Sequence, residues 1–201
     1  MSVLLVPDRE CGPCNVCCRL HAIIDPAFNK SPGILCTNWK AEVGCLIYSE
    51  RPESCRGHFC AWRQLEQFDD SWRPDISNVY IELKGDPPEH FHHELPNALF
   101  AFRFTLLGEL TTPRMGQLAS VIASLINSDV PVILAVAAPP EHFGCHMLLN
   151  PGLKPHAAAF GREFMEGIAR ALRTLLDTPP KPVVFDRVRR EYDPAIQSRR
   201  S

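Results

Sequence analysis

From about residue 75 the chain alternates in the manner of a half-buried sheet. Val79, Ile81 and Leu83 interleave with Tyr80 and Glu82, and Phe100, Phe102, Phe104 and Leu106 interleave with Ala101, Arg103 and Thr105. A period of two places one set inward on each run, so both are expected to be strands. The period then changes. Thr112-Pro113 has the form of an N-cap followed by proline at the first helical position, and Leu118, Val121, Ile122, Leu125 and Ile126 recur at helical spacing up to a stop near Asn127 to Asp129. PVILAVAA from Pro131 is apolar enough for a strand covered on both faces. A shorter strand is expected near Cys145 to Leu149, closed by an Asn150-Pro151-Gly152 turn. Phe160, Phe164, Ile168, Leu172 and Leu175 mark a last helix, ended by Pro179-Pro180.

The order β-β-α-β-β-α is that of helices packed on a mixed sheet. Before residue 72 no such periodicity is sustained, and Cys, Gly and Pro dominate. The chain is therefore read as α+β, with a cysteine-rich metal-binding region over 1–72 and an α/β domain over 73–201 that ends in a basic tail. The first part is expected to depend on metal for its order, and the second to fold by itself.

Cysteine placement supplies the chemistry. Of nine cysteines in 201 residues, Cys11, Cys14, Cys17, Cys18, Cys36, Cys45, Cys55 and Cys60 all precede Trp62, and Cys145 stands apart. The apolar run Val3 to Val6 is too short for a signal-peptide core, and no segment reaches membrane-spanning length. That predicts a cytoplasmic protein with no membrane partner, in which clustered thiols read as metal ligands rather than as disulfides. Net charge is −2, with acids and bases nearly balanced over the first sixty residues, so no nucleic-acid partner is expected. The basic tail from Lys181 is interrupted by Asp186, Glu191 and Asp193 and reads as a solvated end.

Thiolates ligate zinc and iron-sulfur clusters, and a C-x-x-C turn brings two sulfurs to one metal. Cys11-Gly-Pro-Cys14 and Cys14-Asn-Val-Cys17 overlap with that spacing, which suits an iron-sulfur motif as well as a zinc knuckle. The adjacent Cys17 and Cys18 serve either two metals or one metal and a separate thiol. Arg51 and Arg56 stand where they could offset the surplus negative charge of several thiolates, Pro52 restricts the turn toward Cys55, and Tyr48 and Trp39 are read as shields against water.

Two stretches, Cys11 to Cys18 with its C-x-x-C-x-x-C-C spacing and Cys45-Leu-Ile-Tyr48-Ser-Glu-Arg51-Pro52-Glu-Ser-Cys55-Arg56, together with Cys36, resemble the YkgJ family of zinc- or iron-chelating domains. The resemblance covers about residues 11–60. It implies a bound metal with the matching cysteines as ligands, Cys60 being less firmly placed and His58 a substitute for it. Iron-sulfur-containing flagellin lysine methylases carry a similar cluster, so the resemblance does not fix one activity.

The expectation is a metal-binding protein with a zinc ion, or alternatively iron or an iron-sulfur cluster. An iron-sulfur enzyme and a metal-delivery module that meets a protein partner are the other readings. Two weaker constellations complete the chemistry. The stretch Glu89-His90-Phe91-His92-His93-Glu94 is read as an exposed loop, with a second metal site as the alternative. His142, Cys145 and His146 could converge, but Cys145 is read as a buried inert thiol on a strand.

Overall fold

The computed structural model describes residues 4–25, 28–85 and 98–183. The Glu89–Glu94 stretch and all but the start of the basic tail lie outside them.

Short elements make up the cysteine-rich part: helix α1 (Val16–Leu20), a hairpin of β1 (Ile23–Asp25) and β2 (Phe28–Lys30), and a two-residue pair of β3 (Trp39–Lys40) and β4 (Gly44–Cys45). Three single-turn helices follow, α2 (Glu53–Arg56), α3 (Ala61–Gln64) and α4 (Pro74–Ser77). The alternating runs then form β5 (Val79–Gly85) and β6 (Phe100–Leu106), paired antiparallel with Ile81 opposite Phe104 and Glu82 opposite Arg103.

Helix α5 (Thr112–Asn127) carries the chain to β7 (Val132–Val136), which lies parallel to β6. A parallel neighbour requires such a crossover. Thr111, one residue before the expected cap, accepts the Arg114 amide. Beyond a short β8 (His142–Phe143), β9 (His146–Leu148) closes the four-stranded sheet in the order β5-β6-β7-β9. The sheet is mixed, as expected.

The expected unit order needs correction after β9. Asn150-Pro151-Gly152 is no turn: it opens helix α6 (Asn150–Ala157), because proline near the N-terminus costs a helix no hydrogen bond. The buried Asn150 fastens this helix, its side chain accepting the Val132 amide at 2.7 Å and donating to the Val130 carbonyl at 2.9 Å. Helix α7 (Arg162–Asp177) buries Phe164, Ile168, Ala171 and Leu175. Phe160 falls outside it, exposed and left-handed at φ 46°. The short β10 (Lys181–Pro182) then pairs with β8. No described helix is long and apolar enough to cross a membrane.

Strand parity divides the molecule into layers. Val79, Ile81, Phe102, Phe104, Val132 and Leu134 share one face, packed in a single core with residues of α5, α6 and α7. Tyr80, Glu82, Ala101, Arg103, Thr105, Ile133 and Ala135 share the opposite face, where His21 and His58 of the cysteine-rich part meet Tyr80. The strand from Pro131 is covered on both sides, with Val132 to Ala135 all buried.

The core also crosses the compositional boundary near residue 72. Ala61, Phe68 and Trp72 belong to the helix-side core, and Phe68 meets Trp72 edge-on and Phe102 at a tilt, with ring centroids 5.6 and 6.3 Å apart.

Candidate metal centre

In the first cysteine segment the Cys14 amide returns to the Cys11 carbonyl at 3.0 Å, with Gly12 left-handed at φ 48°. The chain then enters α1, whose buried Val16 anchors it while Cys17 and Cys18 project in directions about 100° apart. Cys36 is buried and is tied to this helix, its amide donating to the Cys18 carbonyl at 3.0 Å.

The second segment reaches the first through a glycine. Gly44 has φ 88°, and a Cβ there would run into the Gly12 carbonyl oxygen. Only glycine permits both that backbone and that approach, so it sets Cys45 against the Cys11–Cys14 turn. Pro52 starts α2 and presents Cys55, while Cys60 sits at the N-cap of α3.

All eight cysteines that precede Trp62 line one cavity of about 390 Å³. Segments 11–18 and 45–60 thus meet in space with Cys36, as the pattern predicts. Cys145 lies elsewhere, half-buried just before β9 rather than on it, with its sulfur 3.7 Å from the carbonyls of Thr178 and Pro179. Tyr48 lines the cavity, and Trp39 stands just outside it, its strand paired with Cys45 and its amide donating to the Cys36 carbonyl at 3.1 Å.

Electrostatics sorts the sulfurs into two neighbourhoods. Cys18 and Cys36 act on both Cys45 and Cys55, raising their pKa values beyond what burial does. Cys11 acts on Cys17 and Cys60, Cys14 acts on Cys17, and Cys60 acts on Cys14. Cys17 is coupled most strongly to Cys18 itself, so the two neighbourhoods meet at this adjacent pair. The Cys17 thiol donates to Cys18, which holds Cys17 up and brings Cys18 down to about 7. Burial pushes Cys14 up to about 12 and Cys60 up to about 11.

Arg51 and the buried Arg63 line the cavity, and Lys30 stands close enough to act on the thiols. Arg51, its guanidinium 3.8 Å over the Tyr48 ring, lowers the pKa values of Cys18, Cys45 and Cys55, as its sequence position suggests. Arg56 is exposed. Lys30 is 6 % exposed, with Nζ donating to the carbonyls of Arg19, Ser31 and Ile34 at 2.8–3.1 Å. Its charge favours the thiolate of Cys18. A buried lysine fixed by three carbonyls was not legible in the pattern.

His58, read as a substitute for Cys60, turns its Nε2 to the Tyr80 hydroxyl instead. His21 Nε2 meets the same hydroxyl at 2.8 Å. Burial is the first cause lowering both imidazole pKa values. Tyr80, on the cavity floor, is fully buried, and desolvation raises its pKa well above the usual phenol value.

No protein-family model, no curated protein and no solved structure matches this chain, so its resemblance to the YkgJ family rests on the quoted cysteine segments alone.

Proposed function

We propose that this is a metal protein whose eight N-terminal cysteines hold a polynuclear metal-sulfur centre, iron-sulfur in preference to zinc. The observation that carries the reading is the spacing of the sulfurs around their shared cavity. Among the described residues no three cysteine sulfurs lie within 4.8 Å of one another. A tetrahedral zinc with Zn–S of about 2.3 Å sets its sulfurs roughly 3.8 Å apart, so a closed zinc site would require the walls to draw inward. An iron-sulfur cluster places its own iron and sulfide between the thiolates and suits the wider arrangement.

The two neighbourhoods deepen the reading. Cys11, Cys14, Cys17 and Cys60 form one quartet, and Cys18, Cys36, Cys45 and Cys55 form the other. Four thiolates are the usual complement of one cluster. Lys30 and Arg51 stabilise the negative charge of the second quartet, and the resemblance to the YkgJ family supports a bound metal without choosing between zinc and iron. Redox chemistry at the centre, by electron transfer or substrate activation, is the activity this arrangement supports, in a reducing compartment such as the cytosol.

Protein purified without oxygen is expected to be brown and to contain iron and acid-labile sulfide in near-equal amounts. A colourless protein with tightly held zinc and no sulfide would overturn the preference for iron-sulfur.

Metal affinity should also rise with pH. With Cys14 at about 12 and Cys60 at about 11, both are protonated at neutral pH and must lose a proton to bind. Each such thiol contributes about a tenfold gain in affinity per pH unit below its pKa. These two alone predict a gain of about a hundredfold between pH 6.5 and 7.5 in competition with a chromophoric chelator, after correction for the chelator's own protonation. A pH-independent affinity would contradict the assignment of Cys14 and Cys60 as ligands.

A further inference from the structure

Beneath the cysteine cavity, on the face of the sheet turned away from α5, α6 and α7, lies a second group of side chains apart from the eight cysteines. Alternation along β5 puts Tyr80 and Glu82 on this face, where they meet His21, just after α1, and His58, just after α2. The Nε2 atoms of His21 and His58 each lie 3.9 Å from Glu82 Oε1, and the two imidazole centroids are 4.1 Å apart. One ligand atom from each of His21, His58 and Glu82 falls within 4.8 Å of the other two.

Hydrogen bonding alone leaves this group incomplete. Tyr80 contacts both imidazoles and can donate to one and accept from the other, which leaves Glu82 as the member without a hydrogen-bond partner among them. Glu82 is 2 % exposed, and its buried Oε1 accepts no hydrogen bond. Lys84 Nζ stands 3.2 Å from that oxygen, and Arg103 Nε, itself buried without a hydrogen-bond partner, is 3.9 Å from Oε2. A buried carboxylate oxygen directed at two imidazole nitrogens is costly to leave unmatched. A cation accepts all three lone pairs at once.

We propose that His21, His58 and Glu82 form a second metal site, separate from the thiolate centre, for one divalent ion that prefers nitrogen and oxygen ligands. Two histidines and one carboxylate hold an ion on one side and leave its other positions open. Those positions face a second cavity of about 300 Å³, lined by His21, Glu82, Lys84, Arg103 and Thr105. The ion together with Lys84 and Arg103 outweighs the single charge of Glu82, so the ligand that completes the site is a small oxyanion. Lys84, whose side chain is 38 % exposed, has room to leave Glu82 for solvent or for that anion. His21 lines both cavities and so joins this site to the cysteine centre.

Manganese(II) is the probe, since thiolates bind it poorly and imidazole and carboxylate accept it. Titration of the protein as purified, with its cysteine centre in place, should remove one equivalent of free manganese signal in electron paramagnetic resonance. Pulsed measurements on the bound ion should show imidazole nitrogen couplings. Glu82→Gln and His21→Ala should each weaken binding at least about a hundredfold, the upper end of what the loss of a mere supporting residue costs. Oxalate should tighten binding in the wild type and fail to do so in Arg103→Gln.

The wild-type spectrum does not depend on any variant folding. For Glu82→Gln, unchanged cysteine-centre metal content and near-UV circular dichroism verify the fold. Manganese that does not bind, binds without nitrogen couplings, or binds a folded Glu82→Gln equally well overturns the site, and an oxalate effect that survives in Arg103→Gln overturns the anion pocket. The proposal stands apart from the metal-sulfur reading, which the iron and sulfide content decides by itself.

Discussion

Replacing Cys55 by serine is expected to remove at least about half of the bound metal, as is replacing Cys14, because serine oxygen is a far poorer soft-metal ligand than thiolate. The two residues are 41 positions apart and fall in different quartets of the proposed centre, so the double variant should lose nearly all of it. Both line the same cavity, which Gly44 closes by packing against the Cys11–Cys14 turn. Cys145→Ser should leave metal content unchanged, since that sulfur faces the Thr178 and Pro179 carbonyls. Elemental analysis of the four proteins, purified alike without oxygen, makes the comparison. Full metal in Cys55→Ser beside loss in Cys14→Ser would confine the centre to residues 11–18 and leave the 45–60 segment with another role.

What the sequence revealed and what it hid follow from the range of the interactions involved. Alternation at 79–83 and 100–106 is a local signal, and it located β5, β6 and their two faces correctly. The cap and proline before α5 are local too, and the misplacement by one residue, Thr112 for Thr111, is within one turn. Asn150-Pro151-Gly152 misled because the same residues begin helices as well as turns. Its use here is decided by Asn150 reaching across to β7.

The eight cysteines were legible as one group because their spacing is a local signal, and one cavity gathers them. Glu82 and Tyr80 were read only as the polar phase of a strand. Their importance appears once another layer covers that face, and an acid on it is then buried rather than solvated. A signal was available: a strand whose outward positions run Tyr80, Glu82, Lys84 has no need of an aromatic residue there unless something packs on it. Lys30 and Gly44 gave no such hint, since each owes its role to a contact with a distant backbone segment.

The fragment that begins at residue 73 is expected not to fold, contrary to what the change of composition near residue 72 suggests. The strands and helices after that point supply most of the core but not all of its cover. Phe68 is 2 % exposed and Trp72 8 %, and both lie in the same cluster as Val79, Ile81 and Phe102. Truncating one large buried aromatic residue costs about 3–5 kcal/mol, and the whole stability of a domain is about 5–15 kcal/mol. Losing two such residues together with Ala61 therefore consumes most of it. The same deletion uncovers Tyr80 and Glu82 on the opposite face, where Tyr80 loses His21 and His58 as hydrogen-bond partners. Circular dichroism of the fragment should show no cooperative melt, and light scattering should show association through the uncovered apolar face. In the full chain, Phe68→Ala should lower stability by about 3–5 kcal/mol in denaturant titration. A fragment from residue 73 that melted cooperatively near the full-length temperature would show that Phe68 and Trp72 cap a core already complete without them.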